Sequence, residues 1–278
     1  MTSDAGEKAM LEVEDLTVTF RATASTVVQD MTFRIDKGAT LGLVGESGSG
    51  KSMTALATMG LLPPGAEPAG SVRFWGEELL GLPDRAMRRI RGDRIAMVFQ
   101  DPLSSLNPYY TVGFQIAEAY LAHRGGNRRQ AMRLAAEAMD QVRIPDAGRR
   151  VHHYPHQFSG GMRQRVMIAM ALVCEPDLLV CDEPTTALDV TVQAQILRLL
   201  ADVQETTGAG MLFITHDLAV VSQVADSVVV MRHGRAVEQG TAEQIFSRPA
   251  EEYTRQLLDA TPRLDDDVDL PEPIREAR

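Results

Sequence analysis

The sequence predicts an α/β protein with a mostly parallel sheet, an antiparallel β portion at its start and an inserted helical region. Three observations point there. Short apolar runs at residues 41–44, 178–181, 211–215 and 227–231 read as strands buried deep in a sheet. Stretches of helical composition at residues 51–62, 160–173, 190–205 and 218–224 separate them, giving the β-α-β-α alternation of a doubly wound core. Ahead of these, residues 11–20 and 27–35 alternate apolar and polar side chains, as half-buried antiparallel strands do.

Taken in order, Lys37-Gly38 supplies a turn after the second alternating stretch. Residues 41–44 run straight into a glycine-rich loop, and the helix after that loop is expected to end at Pro63-Pro64-Gly65. A strand over residues 94–99 leads into Gln100-Asp101-Pro102. From Thr111 to about Val151 the pattern turns helical and rich in Ala, Met, Arg and Glu, which marks the insert. Glu175-Pro176-Asp177 is a turn before the acidic-ended strand at 178–181. The expected organisation is one domain over residues 9–260, with a helical subdomain at about 111–174. A short acidic, flexible tail follows at 261–278, carrying Asp265-Asp266-Asp267, Asp269, Pro271 and Pro273.

Bulk properties exclude several classes. No apolar run in the 278 residues approaches the ~18–20 needed to cross a bilayer, so a membrane role must run through a partner. Residues 1–8 are polar and lack the apolar core of an export signal. A net charge of −10 argues against a nucleic-acid partner, which calls for a basic face. The local run Arg85, Arg88, Arg89, Arg91 and Arg94 reads as a solvated face. Cys174 and Cys181 make neither a disulfide framework nor a four-ligand metal site; they read as small buried core residues and fit a reducing cytoplasm.

Gly45-Glu46-Ser47-Gly48-Ser49-Gly50-Lys51-Ser52 fits G-x-x-x-x-G-K-[ST] and lies between an expected strand and an expected helix, the context this loop requires. Its glycines let successive backbone N–H groups turn toward phosphate oxygens, and the helix start adds its positive end. Lys51 can reach the β- and γ-phosphates, and the Ser52 hydroxyl can ligate Mg²⁺. Asp182 and Glu183 follow the apolar strand at 178–181, at the sheet end where ligands bind in open α/β folds. On an extended chain they would point to opposite sides and do different work: Asp182 holding Mg²⁺, Glu183 polarising the attacking water as general base. Ser159-Gly160-Gly161 at a helix start is a further anion site, with a hydroxyl, free N–H groups and a dipole.

Phe158-Ser159-Gly160-Gly161-Met162-Arg163-Gln164-Arg165 resembles the LSGGQ signature of the ATP-binding cassette (ABC) ATPases, with Phe for Leu and Met for Gln. The resemblance runs from about Leu11 to Leu258 and implies a nucleotide-binding core that works in pairs. It casts Gln100 as the Q-loop glutamine contacting Mg²⁺ or water, Ala187-Leu188-Asp189 as the D-loop, His216 as the switch histidine on the γ-phosphate, and Phe20 as the ring that stacks on adenine. Within the family, residues 98–108, 154–165 and 185–193 look like the dipeptide, oligopeptide and nickel importer ATPases. That likeness implies ATP and Mg²⁺ as ligands and a second, related but non-identical ATPase subunit as partner. It further implies two integral-membrane permease subunits, an indirect link to an extracytoplasmic solute-binding protein, and a peripheral place on the cytoplasmic face of the cell membrane. Members commonly carry His-Pro-Tyr-Thr and a cysteine-bearing extension; here Glu251-Glu252-Tyr253-Thr254 stands instead, and no cysteine follows. His152, His153 and His156 lack neighbouring carboxylates or cysteines and make a poor closed metal site. The alternatives are a nickel or other solute importer, an exporter ATPase, and a soluble ABC ATPase acting as an assembly factor.

Overall fold

The structure is a computed structural model that describes residues 9–260, apart from Ala187. The polar start and the acidic tail expected at 261–278 lie outside the described residues. The chain divides into two compact units, one formed by residues 9–87 with 208–260 and the other by residues 88–207.

The first unit opens with β1 (Leu11–Phe20), β2 (Ser25–Ile35), β3 (Thr40–Val44), α1 (Lys51–Thr58), β4 (Ala66–Phe74), β5 (Glu77–Glu78) and α2 (Asp84–Met87). The second unit holds β6 (Ile95–Val98), α3 (Pro102–Ser105), α4 (Val112–Arg124), α5 (Arg128–Gln141), α6 (Ala147–Arg150), α7 (Gly160–Leu172), β7 (Leu178–Asp182) and α8 (Val190–Thr207). The chain then returns to the first unit with β8 (Gly210–Thr215), α9 (Leu218–Val224), β9 (Ser227–Arg232), β10 (Arg235–Thr241), α10 (Ala242–Ser247) and α11 (Glu252–Ala260).

An antiparallel sheet in the order β2-β1-β4-β5 confirms the expected β portion. In β1 the buried positions are Leu11 and Val13, then Leu16 and Val18, so the alternation changes parity midway. A bulge causes this: the pairing register shifts between Val13 and Leu16, and Asp15 sits at φ 50 with its N–H donated to Thr32 Oγ1. In the first unit β3 pairs in parallel with β8 and β9, and β10 adds an antiparallel edge to β9. In the second, β6 and β7 pair in parallel. Every residue of β3 and β8, and Leu178 to Cys181 of β7, is buried, as their unbroken apolar runs require.

One helix ends sooner than expected. α1 stops at Thr58, well before the prolines, because Gly60 takes a left-handed conformation (φ 60). The N–H of Leu61 bonds to the carbonyl of Leu56 and that of Gly60 to Ala57, the paired closure of a glycine-terminated helix. In the helical region, Thr111 caps α4 by accepting from Phe114 N–H and Asn127 caps α5 by accepting from Gln130 N–H. Cys174 and Cys181 are free and buried, and burial raises both thiols above their ordinary pKa. No helix among the described residues is long and apolar enough to cross a membrane.

Candidate functional site

The first unit carries the phosphate loop. β3 ends at Val44, which lies level with Thr215 of β8 and Val230 of β9. Gly45 and His216 therefore leave neighbouring parallel strands at the same height. The exposed His216 is positioned by the helix cap next to it. Asp217 caps α9, its Oδ1 accepting from Ala219 and Val220 N–H, and its own N–H bonds to Thr215 Oγ1.

The loop is a tight cradle. Gly45 (φ 153) backs onto the Met231 carbonyl so closely that a Cβ would lie 2.2 Å from that oxygen. Gly48 and Gly50 also have positive φ, and Gly50 opens α1 without a side-chain cap. Ser47 and Gly48 are exposed, whereas Ser49 and Lys51 are buried. Lys51 Nζ donates to the carbonyls of Gly45 (2.7 Å) and Glu46 (2.9 Å), so the lysine lies along the loop it belongs to. Ser49 Oγ is buried and closes no hydrogen bond. A glycine cradle, a buried ammonium and an orphaned hydroxyl at a helix start fit a phosphate group.

Gly45→Ala should therefore cost more nucleotide affinity than Gly48→Ala. The first places a methyl against backbone, while at Gly48 a Cβ meets no atom within 4 Å and only the positive φ (78) opposes it, at about 1–2 kcal/mol. Titration of both variants with ADP checks the order. Phe20 ends β1, half-buried and paired with Ser25 and Ala66, which leaves part of its ring accessible.

The second unit gathers the acidic strand end. Val98 of β6 is level with Cys181 of β7, so Phe99-Gln100 and Asp182-Glu183 emerge side by side. Gln100 Nε2 donates to Glu183 Oε2 at 3.0 Å, and Thr186 Oγ1 donates to the same oxygen at 2.9 Å. This places Gln100 on the candidate base itself. Sequence reasoning does not single out Thr186; a hydroxyl three residues after the carboxylate is the available signal.

The relation between the two carboxylates needs correction. Glu183 does not continue the extended strand but takes φ 48, so strand alternation is not what separates it from Asp182. Left-handed backbone costs a residue with a side chain about 1–2 kcal/mol, and such conformations concentrate at functional sites. Ser52 hydroxyl, Asp182 carboxylate and Gln100 amide oxygen are hard oxygen donors of the kind Mg²⁺ takes, so the residue types fit the ion.

Ser159 caps α7, accepting from Met162 N–H at 3.4 Å. A Cβ on Gly160 would meet open space, whereas one on Gly161 would lie 2.5 Å from Val192 Cγ1. Gly160 keeps the helix start open; Gly161 lets α7 approach the start of α8. Asp189 caps that start, its Oδ1 accepting from Val192 N–H at 2.9 Å. The expected signature and D-loop residues thus meet at Val192, while Ala187 is outside the described residues. His153 packs edge-on against Phe158, and His156 stacks on Tyr154.

A glycine cradle at the end of a parallel strand, an acidic strand end and a capped Ser-Gly-Gly helix start define a cassette-type ATPase. Comparison with known proteins agrees. The family described as "ABC transporter" matches residues 28–186, and "Oligopeptide/dipeptide transporter, C-terminal region" matches residues 237–277. The second match takes in Glu251–Thr254, so the altered motif does not remove this segment from that family region. The chain is 51% identical over 258 residues to the oligopeptide transport ATP-binding protein OppD of Haemophilus influenzae, covering 92% of this chain and 80% of the relative. It is 50% identical over 260 residues to the dipeptide transport ATP-binding protein DppD of Bacillus subtilis, covering 92% and 78%. Among solved structures, the ATP-binding cassette MJ0796, in a dimeric post-hydrolysis state bound to ADP and Pi, superposes with a TM-score of 0.74 at 26% identity. That match covers 84% of this chain and 99% of the other. The chain belongs to the ATP-binding family of ABC transporters and is an ABC-type ATPase.

Proposed function

We propose that this chain is the ATP-hydrolysing subunit that energises an importer of dipeptides or oligopeptides. The observation that carries the reading is identity of about half the residues, over nine-tenths of the chain, with the ATP-binding proteins of oligopeptide and dipeptide transport. In this reading the protein works at the cytoplasmic face of the membrane against two permease subunits, paired with a related ATPase and served by an external solute-binding protein. Residues 9–260 form its ATPase domain, with residues 111–174 as the helical subdomain.

Each group of residues has its own part in the reaction. Gly45, Ser47, Gly48, Ser49, Gly50 and Lys51 bind the ATP phosphates, and Phe20 stacks on the adenine. Ser52, Asp182 and Gln100 would hold Mg²⁺, which when bound neutralises charge on the β- and γ-phosphate oxygens. Glu183 accepts a proton from the attacking water. Gln100 and Thr186 donate to one oxygen of Glu183 and so aim the other. His216 holds the γ-phosphate. Ser159, Gly160 and Gly161 close on the partner ATPase's nucleotide, and Asp189 fixes the adjoining helix start. Hydrolysis then depends on pairing, because each site is completed by the other chain.

Proteoliposomes holding the assembled transporter test the reading. ATP turnover should rise with peptide-loaded binding protein and not with nickel. Stimulation by nickel alone would overturn the peptide assignment. A chain that never co-purifies with integral-membrane subunits would overturn the transport role and favour the soluble assembly factor.

A further inference from the structure

The last described helix, α11, reaches toward the phosphate loop through one side chain. Tyr253, the second residue of α11, is 7% exposed, and the Arg232 guanidinium lies 4.6 Å from its ring centroid. Arg232 directly follows Met231, whose carbonyl backs Gly45. The Tyr253 hydroxyl approaches the backbone N–H of Glu46 without closing a hydrogen bond of normal geometry, so this buried oxygen has no formed partner.

The approach to α11 is fastened on its other side. Glu238 of β10 accepts from Ala250 N–H (2.7 Å) and Glu251 N–H (3.2 Å). The Arg255 guanidinium donates back to the carbonyls of Pro249 and Ala250. Thr254, 0% exposed, lies beside the Glu238 carboxylate. These contacts fix how deep Tyr253 sits. On the loop side, the Glu46 carbonyl accepts from both Lys51 Nζ and Ser49 N–H. Glu46 is thus drawn toward Lys51 on one side and toward Tyr253 on the other. A buried hydroxyl with no closed hydrogen bond is costly, so a loop position that closes it is favoured.

We propose that Tyr253 is a positioning residue for the phosphate loop: when phosphate draws Lys51 off the loop carbonyls, the Glu46 amide closes onto the Tyr253 hydroxyl and holds the loop in its binding form. The proposal rests on the reading of residues 45–52 as the nucleotide loop. By linkage, nucleotide then tightens α11 onto its unit as much as α11 favours nucleotide.

Tyr253→Phe keeps the ring and the Arg232 contact and removes only the hydroxyl. In the full-length chain, with MgADP as probe, Kd should rise about three- to tenfold. The unfolding midpoint without nucleotide should stay level or rise, while the stabilisation by ADP shrinks. In the assembled ATPase the KM for ATP should rise at nearly unchanged kcat. Unaltered ADP affinity, or a lower nucleotide-free midpoint with the full ADP stabilisation retained, would overturn the proposal. Failure of the wild-type chain itself to bind ADP would overturn the loop reading, and this proposal with it.

Discussion

Replacing Glu183 by glutamine is expected to cut ATP turnover about 100-fold or more while nucleotide affinity stays within about twofold. Glutamine matches glutamate in shape and keeps an oxygen that can accept from Gln100 Nε2 and Thr186 Oγ1, which meet Glu183 Oε2 at 3.0 and 2.9 Å. It loses the basicity needed to take a proton from water. A variant that still binds and pairs but does not turn over should accumulate as the ATP-bound dimer. Single-turnover measurements with sizing of the ATP-bound species check both parts. Normal turnover would remove Glu183 from the role of base.

Lys51→Met is expected to fail earlier, at binding. The methionine preserves much of the apolar stem of a side chain that is only 5% exposed, but it removes the ammonium. Charged hydrogen bonds are worth about 1.5–3 kcal/mol each, so ATP affinity should fall at least about tenfold, and 100-fold if two such bonds form. The measurement is equilibrium binding of ATP by the wild type and the variant. Equal affinities would show that the loop binds through its backbone alone. The two variants separate binding from chemistry, since Lys51→Met loses both and Glu183→Gln only the second.

Much of this is legible in the sequence because the deeply buried strands are short, apolar and bounded by turns. α9, at Leu218–Val224, matches its expected span, and β1 does so even though its bulge reverses the alternation at Asp15. β4 has no such signal. Its first half, Ala66 to Gly70, contains Pro68 and follows Pro63-Pro64-Gly65, which reads as loop. Ala66 to Ala69 pair with β1 on one side, while β5 opposes only Arg73 and Phe74, so proline is tolerated there. β10 escapes sequence reasoning for a similar cause: as an edge strand it is largely exposed and lacks an apolar run. The residue types of the site can be named from motifs, but their partners cannot. Gln100 and Glu183 lie 83 positions apart, and only the pairing of β6 with β7 joins them. The backbone turn at Glu183 and the reach of Tyr253 to Glu46 leave no spacing signature at all.

The level pairing of Val44 with Thr215, and of Val98 with Cys181, makes each parallel ladder a ruler for the loop that leaves it. Losing one residue within Gly210–Thr215 would draw His216 back by about 3.3 Å and turn every later side chain of that strand to the opposite face. The same loss in the exposed connection at Gly125-Gly126 would be absorbed locally. Length variation among related chains is therefore expected to collect in such connections and to spare the strands, whose lengths set where the chemistry stands.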